Sequence, residues 1–452
     1  MLLVAIVVYG GLTAYSILAP HSQEPRYWQN DSFWYVSLAK GLLSHHHFSR
    51  ETAPPFHWDP YRTPGYPALV ALGITMTGHE WGALLFTPLV AGLMLWSVVG
   101  LTHEIGKNEA TTALAGWLAI LLPPCLGWSA FLLTDYVHGC LTVTAFYLTL
   151  VAVRRARWSY GIGAALAWSA SQWIRPTAGA AVVFVVLIAL WEVRRRPQLL
   201  LVVFLVATSF LTPLYLCCRM FQDYGVFTVS LLGRHVVRYH IVSVAEALAT
   251  GQSEAATLEH SFQTDAEVAT KSAPRGSTQD RSDVRSAFAV ELIGITENLA
   301  MPLYNVQGEA IRDALKKYPG FVVIAYAKGF FFELLWSPWE SPLRWEDALG
   351  KKVMAHLMRL AYWFFLALAV IASRDGGKRG NGWTLLLLWL SFLFWVATAS
   401  IAAVGGSRYR FPGDLLLIPL AACGWTVLAP KLGVYAKLLI GQGRGESADA
   451  QT

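Results

Sequence analysis

Apolar runs recur along this chain at roughly 17 to 25 residues, the length a helix needs to cross about 30 Å of hydrocarbon. No other feature constrains the fold as strongly, because inside a bilayer every backbone polar group must be satisfied internally, which leaves helices or closed barrels. None of the runs alternates as barrel strands do. The fold class is therefore all-α, a polytopic membrane helical bundle. With 55% of its 452 residues hydrophobic and 14% charged, the chain lies outside the range of ordinary soluble domains.

Candidate spans run from Leu2 to Leu18 and approximately from Trp81 to Leu101, Thr111 to Leu133, Val137 to Val153, Ser159 to Ile174, Thr177 to Trp191, Leu199 to Cys218, Leu357 to Ala372, Trp383 to Ala403 and Leu415 to Leu428. That makes about ten, within a range of about nine to twelve. The first run lacks a basic lead-in, and Ser16-Ile17-Leu18-Ala19 is a poor cleavage pattern, so it reads as a retained span rather than a signal peptide.

The formal charge of +6 does not point to nucleic acid, because the basic residues fall in short clusters between apolar runs. Arg154-Arg155-Ala156-Arg157, Arg194-Arg195-Arg196 and Arg374-Asp375-Gly376-Gly377-Lys378-Arg379 all fall on one side when the ten spans are threaded, and short basic loops stay in the cytoplasm. Phe321 to Trp336 is apolar enough to span, but counting it would move Arg374 to Arg379 outside. It therefore reads as an interfacial or re-entrant helix, which Lys328 and Glu333 also favour.

Three segments then share the outer face: the loop from about Pro20 to Glu80, the Thr134-Asp135 turn, and the Ser407-Arg408-Tyr409-Arg410 turn. The implied organisation is an N-terminal membrane module (1–218, with the first outer loop at 20–80), a long outer segment (219–356) and a C-terminal membrane module (357–452). Gly251 to Arg285 is the least apolar part of the outer segment and is compatible with a lid or with disorder. The five cysteines, Cys125, Cys140, Cys217, Cys218 and Cys423, lie in apolar runs without metal-ligand spacing and read as small core residues.

Within the outer face, Asn30 to Leu43 carries Trp34, Leu38 and Leu42 at four-residue spacing, the pattern of an amphipathic helix lying at the interface. Asp31 at its start is either an N-cap or a carboxylate left for chemistry, the second if Asn30 does the capping. Asp59-Pro60-Tyr61-Arg62-Thr63-Pro64-Gly65-Tyr66-Pro67 forces a fixed non-helical path, and Arg62 within it suits a phosphate or a carboxylate. Asp135 is either a first-turn acid or a functional one. Arg175-Pro176 breaks an apolar stretch, where a guanidinium is costly unless it finds a partner. Two arginines in the short outer turn Arg408-Tyr409-Arg410-Phe411-Pro412 suit either snorkelling anchors or a lipid phosphate. His45-His46-His47 reads as a polar loop, and no P-loop, dinucleotide glycine pattern or nucleophile elbow is present.

Taken in order, Asp31 with Tyr35, Arg62-Thr63-Pro64-Gly65-Tyr66-Pro67, Thr134-Asp135, Arg175-Pro176 and Arg408-Tyr409-Arg410-Phe411-Pro412 resemble the GT-C superfamily of integral-membrane glycosyltransferases, especially the branch of protein O-mannosyltransferases and lipid A aminoarabinose transferases. Many relatives carry Asp-Glu at the first motif, whereas Ser32 follows Asp31 here. The resemblance implies transfer of a sugar from a polyprenyl-phosphate carrier to a lipid, glycan or protein acceptor at the outer face, with inversion, in a membrane such as the bacterial inner membrane. It makes Asp31 the general base and Asp135 a residue that orients the acceptor or holds a positive group. Arg62, Arg175, Arg408, Tyr409 and Arg410 would hold the donor phosphate, and Tyr35 and Tyr66 would position substrate. It implies no certain cofactor and leaves a divalent cation open. One carboxylate suffices for such chemistry, because a phosphate leaves as a stable anion without a proton. The alternatives are a lipid-linked-sugar flippase or transporter, and a glycan polymerase or ligase using a diphosphate-linked donor.

Overall fold

The computed structural model describes residues 1–18, 25–29, 31–51, 54, 56–177, 196–272, 297–336, 348–376, 382–401 and 407–445. Among these, every regular element is helical. Helices α1 (Leu2–Leu18), α2 (Ser32–His45) and α3 (Gly65–Thr77) precede a 3-10 turn (Glu80–Phe86) that runs into α4 (Thr87–Gly106). Next come α5 (Glu109–Leu121), α6 (Pro123–Ser129), α7 (Thr134–Arg155) and α8 (Trp158–Ile174). The middle of the chain holds α9 (Arg196–Tyr224), α10 (Leu232–Val237), a π-helical turn (Arg238–Val242), α11 (Ser243–Thr250) and α12 (Glu254–Ser272). The remainder supplies α13 (Glu297–Lys317), α14 (Pro319–Phe331) with a π-helical tail (Phe332–Trp336), α15 (Ala348–Gly376), α16 (Gly382–Ile401) and α17 (Ser407–Gly445).

Six helical stretches of the described residues are long and apolar enough to cross a membrane, or up to eight if each of two bent pairs is one span. The expectation of about ten also counts α1 and α8, each 17 residues long, and Thr177 to Trp191, of which 178–191 lies outside the described residues. The expected span from Thr111 to Leu133 is broken by 41° between α5 and α6, where Pro123 and Pro124 lack the N–H groups that would continue the ladder. A sharper bend of 107° separates α13 from α14 at Pro319, giving Phe321 to Trp336 the geometry of a broken span or re-entrant loop.

α7 is the most enclosed span, 83% buried over its apolar window, and it packs against α4, α8 and α17. Three of its interior hydroxyls are satisfied locally. Thr142, Thr144 and Thr149 donate to the carbonyls of His138, Cys140 and Ala145 at 2.7–2.8 Å, which lets these threonines sit in an apolar bundle. The two ends of α7 differ in chemistry. At its C-terminus Arg155 pairs with Glu104, and Arg154 donates to Thr384 Oγ1. At its N-terminus lie Thr134 and Asp135, about 30 Å away along the helix. Arg374 belongs to the Arg154 end, since it follows Tyr362, which contacts Arg410 near the start of α17, by about three turns of α15.

Several expectations change. Arg408 to Pro412 is not a turn but the beginning of α17, whose apolar continuation carries the helix through Pro412, Pro419 and Pro430. The buried stripe of α2 is Ser32, Tyr35, Val36 and Ala39, with Leu38 beside it and Trp34 and Leu42 only half-buried. Spacing of large residues found the flank of that stripe because a tyrosine and an alanine contribute little to hydropathy. Glu254–Ser272 is helical within the stretch expected to be least ordered, and 273–285 lies outside the described residues. Cys125 and Cys140 are buried, but Cys218 is exposed on α9 and is not a core residue.

Candidate active site

Asp31 occupies the N-cap position of α2, yet its carboxylate makes no capping bond. The helix start is held by its neighbour instead. Ser32 Oγ accepts from Gln29 N and donates to the Leu132 carbonyl, both at 2.9 Å, while Leu132 N donates to the Tyr27 carbonyl at 2.8 Å. These bonds fix the start of α2 against the segment that leads into α7. Asp31 is turned toward Arg62, whose Nη2 donates to Oδ1 at 2.9 Å. Asn30, expected to cap in its place, lies outside the described residues.

Arg62 is aimed by the proline-rich segment. Asp59 Oδ1 accepts from Tyr61 N at 2.9 Å and Arg62 N at 2.8 Å, and Asp59 Oδ2 pairs with Arg50 Nε at 2.6 Å. This side chain-to-backbone turn is the local alternative to helix that the prolines enforce. Thr63 Oγ1 donates to the Ile174 carbonyl at 2.8 Å, and a Cβ on Gly65 would sit 2.6 Å from the Trp173 carbonyl carbon. Only glycine permits that approach, which docks Arg62 against the end of α8 where Arg175 emerges. Burial alone would lower the pKa of Arg62, but Asp31 above all, then Tyr35, Tyr409 and Asp59, raise it beyond its ordinary value. Its Nε is buried and finds no acceptor among the described residues.

A second acid–arginine pair stands beside the first. Arg175, extended just past α8, donates from Nη1 to Oδ1 of Asp135 at 2.7 Å, and the Asp135 side chain is fully buried in the first turn of α7. The Arg175 guanidinium lies 4.7 Å from the ring centroid of Tyr409. Tyr35 links the two pairs. Its ring lies under Arg62 at 5.6 Å, its hydroxyl is 3.4 Å from Thr134 Oγ1, and it meets Tyr66 edge-on at 5.1 Å. The fold thus gathers Asp31, Tyr35, Arg62, Tyr66, Asp135, Arg175 and Tyr409 from five separate parts of the chain.

Arg410, expected to hold the donor phosphate, is engaged inside the bundle. It is fully buried, with Nε donating to Asp414 Oδ1 at 3.0 Å, Nη1 bonded to the Glu333 carbonyl and 3.9 Å from its carboxylate, and the Tyr362 ring at 4.2 Å. This guanidinium joins α17 to α15 and the tail of α14. Glu333, expected to mark an interfacial helix, is the buried partner in that contact. The side chain of Arg408 lies outside the described residues. Among the described residues no group of three or more His, Cys, Asp or Glu side chains could hold a metal ion, and Asp31 and Asp135 are each engaged by an arginine.

Two neighbours escaped the sequence reading. Asp59 was visible as part of a stiff loop, but its role in aiming Arg62 depends on backbone geometry. His235 carried no sequence signal, because only docking of the outer segment against the Pro60-Tyr61 backbone brings it within electrostatic reach of Arg62. Leu231 N donates to the Pro60 carbonyl at 2.8 Å, and Ser230 Oγ donates to the Tyr61 carbonyl at 2.9 Å.

No family model and no curated protein matches the chain. Among solved structures, it is similar to ArnT from Cupriavidus metallidurans bound to undecaprenyl phosphate, at 15% identity and a TM-score of 0.37, covering 97% of this chain and 80% of that one. Similarity to the apo state of the same protein is at 14% identity and a TM-score of 0.36, over 94% and 76% of the two chains. Arabinosyltransferase EmbB from Mycobacterium smegmatis is similar at 13% identity and a TM-score of 0.36, over 94% of this chain and 41% of that one. At identities and scores this low, the functional reading rests on the side chains of this chain alone.

Proposed function

We propose that the protein is a membrane glycosyltransferase that moves a sugar from a polyprenyl-phosphate donor to an acceptor hydroxyl at the outer face. The observation that carries this reading is the pair of ion pairs, Asp31 with Arg62 and Asp135 with Arg175, set side by side among tyrosines at one end of the bundle. Arginine forks match phosphate oxygens, and a lipid phosphate is the anion expected at a membrane surface. The Arg154, Arg155 and Arg374 end of the bundle is opposite, so the positive-inside rule directs the acid–arginine end outward.

The chemistry follows from the pairing. Donor phosphate competes for Arg62, whose buried Nε lacks an acceptor among the described residues, and so loosens its hold on Asp31. Asp31 then takes the proton from the acceptor hydroxyl as the acceptor oxygen bonds to the anomeric carbon on the face opposite the phosphate. The bond from that carbon to the phosphate oxygen breaks, its electron pair leaves with polyprenyl phosphate, and the configuration inverts. Arg62 and Arg175 stabilise the departing anion, with Tyr409 beside Arg175. Asp135 holds Arg175 in place, while Tyr35 and Tyr66 wall the site. Arg408, next to Tyr409 in sequence, is a further candidate for the phosphate.

The flippase alternative needs charged groups along a route through the bundle, whereas the Asp31–Arg62 and Asp135–Arg175 pairs collect at one end of it. Donor chemistry separates the remaining readings. Purified protein in nanodiscs is to be given matched monophosphate-linked and diphosphate-linked polyprenyl sugars with lipid, glycan and protein acceptors. Transfer from the monophosphate donor is expected. Transfer only from the diphosphate donor would establish the polymerase or ligase reading, and lipid translocation without transfer the flippase reading.

A further inference from the structure

The outer segment carries an ordered chain of hydrogen bonds that ends at His235. Arg238 and Asp265 form a buried ion pair, Nε to Oδ2 at 3.2 Å, and Tyr239 donates its hydroxyl to the same Oδ2 at 3.0 Å. Gln307 Nε2 then lies 3.4 Å from the Tyr239 oxygen and 3.4 Å from His235 Nδ1. An amide nitrogen only donates, so Nδ1 accepts and the imidazole proton sits on Nε2. The Tyr239 ring meets the imidazole edge-on at 4.6 Å and limits its rotation.

Position is fixed independently of that chain. The staple from Ser230 and Leu231 to Pro60 and Tyr61 lies one helical turn before His235 and immediately before Arg62. His235 is half-buried. Burial first, then His240 and the Arg62 guanidinium, lower its pKa from 6.5 to about 3, so the ring is neutral at ordinary pH. A neutral N–H donor within electrostatic reach of Arg62 complements a phosphate oxygen without adding a positive charge that would repel that guanidinium.

We infer that His235 is a donor-binding residue, its Nε2–H donating to a phosphate oxygen of the polyprenyl-phosphate donor held at Arg62. The inference rests on the donor reading above and adds to it a task for the outer segment, which delivers this group to a site otherwise built from the membrane modules. The Gln307, Tyr239 and Asp265 side chains set the tautomer and act only through it.

The test is binding of sugar-free decaprenyl phosphate to the full-length protein in nanodiscs, with thermal unfolding as the check on folding. His235→Phe removes the donor. His235→Gln places an amide nitrogen near the Nε2 position, and His235→Asn places one near Nδ1. Loss of a hydrogen bond to a charged group is expected to weaken binding about tenfold in the Phe and Asn variants, while the Gln variant stays within about twofold of the parent. Parent-like binding by the Phe or Asn variant overturns the inference while leaving the donor reading intact. Equal weakening in Gln and Phe assigns His235 a structural role and also overturns it. If the parent itself fails to bind decaprenyl phosphate, the donor reading falls and takes this inference with it.

Discussion

Asp31 and Arg62, 31 positions apart in the chain, meet in an ion pair of 2.9 Å with only 13% and 10% of their side chains exposed. A carboxylate held this way is occupied, so its use as a base depends on something drawing the guanidinium away. A phosphate does so, and base activation then follows donor binding. In steady-state kinetics Arg62→Lys keeps the charge but loses the fork, and donor KM is expected to rise about tenfold. Arg62→Gln should lower kcat as well, since the departing phosphate then loses one of the two guanidinium groups that stabilise it. Unchanged donor KM in both folded variants would remove Arg62 from the phosphate site.

Much of this site was legible because its residues break local rules. Asp31, Arg62, Asp135 and Arg175 are charges where an apolar chain avoids charge, and a cost of that kind points to a partner. Sequence did not say which acid meets which arginine. The pairing depends on Gly65 lying against Trp173 and on Ser32 reaching Leu132, contacts between elements that no periodicity encodes. The segment around Arg410 reads in sequence as a short turn between spans, whereas it is the first turn of α17, with Asp414 one turn later. Hydropathy gave the helical class and six of the expected spans, while paired prolines bend α5 into α6 and Pro319 turns α14 away from α13.

Asp135 and Arg175 should behave as a structural unit as well as part of the site. Asp135→Asn leaves Arg175 against an uncharged partner in a buried setting, with an expected loss of about 3 kcal/mol or more. The apparent melting temperature in nanodiscs checks this, and the double variant Asp135→Asn with Arg175→Gln should recover part of it. A fall no smaller in the double variant would show that the two residues contribute separately.

Arg410→Lys is expected to affect folding more than donor binding. The guanidinium touches Asp414, Glu333 and Tyr362 with no exposure, and a lysine cannot reach all three. Lower thermal stability with donor KM unchanged in the folded fraction is the expected result. A raised donor KM at unchanged stability would return Arg410 to the phosphate site.

Acid should destabilise the protein through His235. Its folded pKa is about 3 and its reference value is 6.5, so between those values the unfolded chain binds the extra proton and stability falls as pH drops. Thermal unfolding of His235→Gln between pH 4 and 7 should show a shallower loss than the parent, by the equivalent of about one proton. Identical slopes would mean that the imidazole is not held neutral by the fold.

The most direct measurement compares single-turnover transfer from a polyprenyl-phosphate sugar by the parent and by Asp31→Asn, with decaprenyl phosphate binding measured on the same preparations. Asparagine keeps the shape and removes the base, so transfer should fall by about a hundredfold or more while phosphate binding stays within a few-fold of the parent. A folded Asp31→Asn protein that transfers sugar at the parent's rate would contradict the assignment of Asp31 as the base.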